Sequence, residues 1–148
     1  MSEAKTVINK LLVEIYNDIL QIEERSLKSE EFSDISITEI HTIEAIGIDR
    51  EKTMSEVAQG LNITLGTLTT GINKLIRKGY VERNRTEEDR RIVLIKLTQK
   101  GIDAYKKHEA FHNEMVHNSV NDLNNEEKEI LAASLNKIKD FFEEKYKL

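Results

Sequence analysis

Residues 64–78, TLGTLTTGINKLIRK, constrain this chain more than any other stretch. Leu65, Leu68, Ile72, Leu75 and Ile76 recur at three- and four-residue steps, the spacing of one apolar helix face turned to a core. The opposite face carries Thr67, Thr70, Gly71, Asn73, Lys74 and Arg77. Small side chains let a partner approach closely, and basic ones neutralise phosphate. Gly79 stands where a left-handed C′ residue closes a helix at little cost. Such a surface fits the DNA major groove, which admits one helix and displays the base edges.

The flanking residues extend that reading. Thr53 with Glu56 forms a capping-box signature opening a short helix through Val57, Ala58 and Leu61, Asn62-Ile63 makes a turn, and Thr64 caps the next helix. Two short helices joined by a tight turn spell helix-turn-helix. Beyond Gly79 the period changes to alternation, so 80–85 and 92–97 read as two strands with a polar tip at 86–91. This is a β-wing. Ser36 with Glu39 gives a further capping box for a helix ending near Ile46.

Charge distribution agrees. Of 22 Lys or Arg and 27 acids, residues 74–100 hold nine basic and four acidic groups. The formal net charge of −5 therefore hides one positive face suited to phosphate and an acidic remainder that discourages unspecific adhesion.

A length of 148 residues suits one domain with a real core. The absence of Cys excludes disulfides, zinc–thiolate sites and thiol switches. The amino terminus lacks the apolar run of a signal peptide and no stretch matches a bilayer span, so a soluble, cytoplasmic chain without membrane association is expected. No P-loop, GxGxxG, HExxH or GxSxG is present, which argues against an enzyme.

Both ends are amphipathic. Ile8, Leu11, Leu12, Ile15, Ile19 and Ile22 stripe a helix over about 3–29. Thr98 opens another carrying Ile102, Tyr105, Phe111, Met115 and Val120, and after Asn124 a last helix shows Leu131, Leu135, Ile138, Phe141 and Phe142. Stripes this long need cover, and a second copy is the economical cover. The expected architecture is mainly α with a small β-wing: a winged helix-turn-helix over about 35–98, flanked by dimerisation helices over about 3–29 and 99–146. A two-fold dimer would set two recognition helices about one DNA turn apart, roughly 34 Å, on palindromic double-stranded DNA.

The run DRRIVLIKLTQKG at 89–101 resembles the DxRxxxLxLTxxG wing signature of the MarR family of winged-helix regulators, with Ile95 in place of Leu. The segment 35–46 resembles that family's second helix, with Glu39 where Gln is usual. Within the family, ISITEIHTIEAIG, TLGTLTTGINKLIRKGYVER, EEDRRIVLIKLT and FHNEMV resemble the FabT-type branch, repressors of fatty acid biosynthesis in Gram-positive bacteria. That resemblance implies a repressor with long-chain acyl-acyl carrier protein as co-repressor and no required cofactor.

Residue chemistry assigns the contacts. Arg91 at the wing tip suits a narrow minor groove, and Asp89 suits a role holding its guanidinium. Arg90, Arg83, Arg85 and Lys74 suit phosphates. Thr67, Thr70 and Asn73 are candidates for base edges, Asn for bidentate pairing with adenine, and Leu65 and Gly66 can pack on bases. An acyl chain needs an apolar slot, expected around Ile22, Leu27, Phe32, Ile43, Phe111 and Met115.

The effector has an alternative. His108 and His112 lie i, i+4 on one helix face and can share a metal ion. With Glu24 and His41 they resemble the zinc ligands of the family's zinc-responsive branch. A module that binds only proteins is a remote alternative, because it leaves the Arg-rich wing unexplained.

Overall fold

The computed structural model describes residues 1–28 and 31–148; position 29, the expected end of the first helix, lies outside them. In chain order come α1 (Glu3–Lys28), α2 (Ile37–Ile46), β1 (Lys52–Thr53), α3 (Met54–Leu61), α4 (Leu65–Arg77), β2 (Val81–Arg85), β3 (Val93–Leu97), α5 (Gln99–Ser119) and α6 (Asn125–Tyr146). Local side-chain caps set the boundaries. Ser36, Thr53, Thr64, Thr98 and Asn124 each accept from a backbone N–H three residues on, satisfying a donor the helix start leaves open. Reciprocal capping boxes form at Thr53–Glu56 and Asn124–Glu127. At Ser36 the reciprocal bond to the backbone N–H is not made: the Glu39 carboxylate accepts from the Ser36 hydroxyl at 3.1 Å and from Lys78 Nζ at 2.9 and 3.0 Å.

The helix α4 ends as its sequence requires. Gly79 takes φ +85°, its N–H donates to the Ile76 carbonyl, and the Tyr80 N–H donates to that of Leu75. These two bonds make a Schellman close, which turns the chain directly into the wing. Strand order is β1-β3-β2, all antiparallel, with Arg83 opposite Ile95 and Arg85 opposite Val93. The two-residue β1 was not expected; it carries no alternation of its own and is a strand only because it pairs with β3.

The core joins these elements. Ile40, Ile43 and Ile46 of α2, Val57 of α3, Leu68, Ile72 and Leu75 of α4, and Tyr80, Val81 and Ile95 at the wing root are fully buried. Leu65 departs from the expected stripe: it is the first residue of α4 and is 51% exposed. The fold is mainly helical with a small β-wing. No helix among the described residues is long and apolar enough to cross a membrane.

Candidate nucleic-acid interface

One face of α4 is open to solvent. Leu65, Gly66, Thr67, Thr70, Lys74 and Arg77 are exposed, and Asn73 is half-buried on the flank facing the wing. A Cβ added at Gly66 or Gly71 meets nothing within 4 Å. Internal packing therefore does not demand either glycine, and their bareness leaves room for an outside partner. The Thr69 and Thr70 hydroxyls donate back to the carbonyls of Leu65 and Gly66, at 2.8 and 3.3 Å. This leaves the Thr70 methyl free to point outward.

Beside this face stands the wing. The Thr86 hydroxyl accepts from the Asp89 N–H at 3.0 Å and ties the tip into a turn. Asp89 then grips Arg91 three ways: Oδ1 accepts from the backbone N–H at 3.0 Å and from Nε at 3.1 Å, and Oδ2 accepts from Nη2 at 3.0 Å. The Arg91 side-chain bond holds the Asp89 carboxyl below the usual carboxylate range. Arg91 is thus a fully exposed cation in a fixed pose rather than a free side chain. Arg85 Nη1 donates to the Arg90 carbonyl at 2.9 Å, and Arg83 Nη1 to Asn73 Oδ1 at 3.1 Å.

The base of the reader is clamped to the rest of the chain. Tyr80 OH donates to Asp34 Oδ1 at 2.5 Å, and the Phe32 ring meets the Tyr80 ring edge-on at 6.1 Å. Burial, then the Asp34 bond, push the Tyr80 phenol well above the usual tyrosine value. Thr98 donates to the Gly79 carbonyl at 2.6 Å, and a Cβ at Gly101 would collide with the Tyr80 carbonyl oxygen. The threonine and glycine of LTQKG are explained by that contact: α5 begins hard against the strand that follows α4. None of the Asp34–Glu39–Lys78–Tyr80 set was anticipated, because its members lie up to 46 residues apart.

Two further features lie between α1, α2 and α5. A cavity of about 250 Å³ is walled by Leu27, Phe32, Ile40, Ala104 and Phe111, with Ser26, Lys107 and Glu114 among its polar members. Of the expected acyl-chain residues it gathers Leu27, Phe32 and Phe111. Ile43 is wholly enclosed in the core, and Ile22 and Met115 stand outside the cavity. The second feature is a polar cluster. His112 Nε2 lies 2.7 Å from Glu23 Oε1, His108 Nε2 lies 3.0 Å from Glu44 Oε1, and the two Nε2 atoms are 2.9 Å apart. His41 Nε2 joins from 3.5 Å to Glu23 Oε2. Glu24 does not belong to this group: its side chain is 56% exposed and pairs with Lys28 at 3.3 Å. One helical residue is a rotation of about 100°, and Glu23, not Glu24, continues the inward row from Ile19 to Leu27. Glu44 also escaped the sequence reading, although it shares a face with His41 at i, i+3.

Comparison with known proteins decides what this arrangement is. Residues 33–101 match the model of a winged helix DNA-binding domain. The HTH-type transcriptional regulator SarZ of Staphylococcus haemolyticus is 31% identical over 102 residues, 69% of this chain and 68% of that protein. The crystal structure of Streptococcus pneumoniae FabT in complex with DNA superposes with a TM-score of 0.90 at 42% identity, covering 95% of this chain and 98% of that one. The chain belongs to the MarR family. The S. aureus MepR–DNA complex is similar too, at 25% identity and a TM-score of 0.73 over 88% of this chain and 92% of that one. As a MarR-type protein, this chain is a DNA-binding transcriptional regulator and not an enzyme. The open face of α4 and the wing are the surfaces a winged helix offers to DNA.

Proposed function

We propose that this protein is a two-fold dimer that represses fatty acid biosynthesis genes. The observation that carries the reading is the 42% identity, sustained over 95% of the chain, to FabT bound to DNA. In this reading α4 enters the major groove with Leu65, Gly66, Thr67, Thr70 and Asn73 toward the bases. Lys74, Arg83, Arg85 and Arg90 meet phosphates, and Arg91, held by Asp89, enters the adjoining minor groove. The exposed stripes of α1 and α6 close against a second copy, so 3–29 and 99–146 serve dimerisation around the reader at 35–98. The operator is then palindromic, with half-sites about one turn apart.

Long-chain acyl-acyl carrier protein is the co-repressor in this scheme. The cavity under α1, α2 and α5 supplies apolar walls, but its 250 Å³ falls below the roughly 300–1,000 Å³ typical of ligand pockets. Ile22 and Met115 stand one helical turn from Ser26 and Phe111 on the same two helices, so a chain longer than the cavity would have to extend toward them. A ligand there acts only by binding the DNA-spaced dimer better than other spacings. The test is a titration of a fatty-acid-synthesis promoter with and without long-chain acyl-acyl carrier protein. Tighter binding with the acylated carrier supports the reading; an unchanged midpoint overturns the co-repressor.

A second reading, response to zinc, is favoured by two overlapping triads, Glu23–His41–His108 and Glu44–His108–His112, whose ligand atoms lie within 4.8 Å of one another in each. If both Nε2 atoms carried protons toward their carboxylates, the 2.9 Å contact between His108 and His112 would oppose two hydrogens. A cation held by either triad, Glu23–His41–His108 or Glu44–His108–His112, would relieve that contact, and neutral imidazole with carboxylate suits zinc. Zinc alone would then change DNA affinity, and His108→Ala would abolish the change; no response in the unaltered protein removes this reading.

A further inference from the structure

Strand alternation places Val81, Arg83 and Arg85 on one face of β2, and Val81 is buried in the core that includes α4. Arg83 therefore emerges alongside α4, where its Nη1 donates to Asn73 Oδ1 at 3.1 Å. Asn73 sits half-buried at that flank, one turn on from Thr69 and Thr70. The terminal torsion of an asparagine is broad and roughly two-fold, so a free carboxamide offers its oxygen or its NH2 in the same direction with little preference. A guanidinium only donates. With Arg83 in place the oxygen faces the wing and the two N–H groups of Nδ2 face away from it.

We infer that Arg83 is a positioning residue for sequence readout: by holding Asn73 Oδ1 it makes Nδ2 the atom presented to the bases. The inference rests on the DNA-bound arrangement proposed above and changes the role of two residues within it. Arg83 ceases to be a simple phosphate contact. Asn73 ceases to be an adenine reader, because bidentate pairing to adenine N6 and N7 needs the oxygen and the NH2 side by side. A lone donor instead selects a major-groove acceptor, which guanine, thymine and adenine N7 all provide and cytosine does not. The base beneath Asn73 is thus read as "not cytosine".

The experiment is selection of bound sequences from a randomised operator pool, followed by salt titrations, for the full-length protein and for Arg83→Lys, Asn73→Ala and the double variant. Arg83→Lys keeps the charge but loses the planar fork that fixes the amide. The expected result is a shift of at least about fivefold in base preference, confined to the position that Asn73→Ala also alters, with the salt slope unchanged. In the double variant the two effects do not add. Arg83→Lys that weakens all sequences alike, or leaves the preference as it was, overturns the inference. A parent protein that enriches no sequence at all overturns the underlying DNA reading instead, so the two failures are distinguishable. Arg83 is exposed and Asn73 half-buried, and an unchanged thermal melt confirms that each variant is folded.

Discussion

The reader and the terminal helices are built from the same kind of sequence and end in opposite states. Every buried apolar side chain of the described residues falls between Leu27 and Ala104. In α6 no residue is buried, and in α1 only Glu23 and Leu27 are. Yet Ile8, Leu11, Leu12 and Ile15 recur on α1, and Leu131, Leu135 and Phe142 on α6, with the same three- and four-residue steps that bury Leu68, Ile72 and Leu75. The difference lies in what each stripe meets. The stripe of α4 meets α2 and α3 within the chain; those of α1 and α6 meet solvent. A pattern reports that a face needs cover, and only the fold reports whether the chain supplies it.

The largest expected effect lies at the uncovered stripes. Charging them, with Leu12→Glu and Leu135→Glu together, should abolish the dimer in sedimentation velocity. Operator affinity should then fall by about two to four orders of magnitude, because two half-sites no longer bind as one. A charged variant that stays dimeric and binds normally would place the seam elsewhere. Next in size is a contrast within α4. Ile72→Ala, at a side chain with no exposure, should cost about 2–5 kcal/mol in a denaturant titration. Leu65→Ala should change stability by less than about 0.5 kcal/mol yet weaken DNA binding. If both cost alike, Leu65 is core and the exposed start of the recognition helix is misread.

A smaller effect separates the clamp from the core. Tyr80→Phe removes one part-buried hydrogen bond to Asp34 and should cost about 1 kcal/mol. Its pH dependence has a definite sign. The folded phenol is raised above its ordinary value near 10, so its contribution is complete below that pH and is lost as pH rises toward the folded value. Thermal melts of parent and variant should therefore converge in alkali. A gap that stays constant from pH 7 to 11 would mean Tyr80 ionises as freely folded as unfolded.

What the sequence makes legible follows the range of the forces involved. Caps at Thr53, Thr64, Thr98 and Asn124 act over three residues and can be read directly. The wing is readable because alternation and a helix-closing glycine act over neighbours. The Lys78–Glu39 and Tyr80–Asp34 bonds join segments 39 and 46 residues apart, and nothing local in either partner announces the other. The cavity shows the same limit. Leu27, Phe32 and Phe111 line it while the equally apolar Ile43 vanishes into the core, a choice made by the docking of α2 and not by side-chain type.

The finest test of the comparison lies on α1, between two neighbouring glutamates. Glu23 and Glu24 have the same chemistry and differ by one step of rotation, which puts Glu23 at 3% exposure among three imidazoles and Glu24 in solvent with Lys28. An exposed i, i+4 pair contributes only a few tenths of a kcal/mol, so Glu24→Gln should leave the melt, and any zinc response, where they were. Glu23→Gln keeps the shape but removes the charge on which the histidines converge. It should shift the melt and weaken zinc binding, if zinc binds, by at least about tenfold. The reverse result, a sensitive Glu24 and an indifferent Glu23, would mean that α1 is turned about its axis. That rotation would also carry Ile19 and Leu27 out of their row, so the apolar stripe of α1 and the cluster would have to be redrawn together.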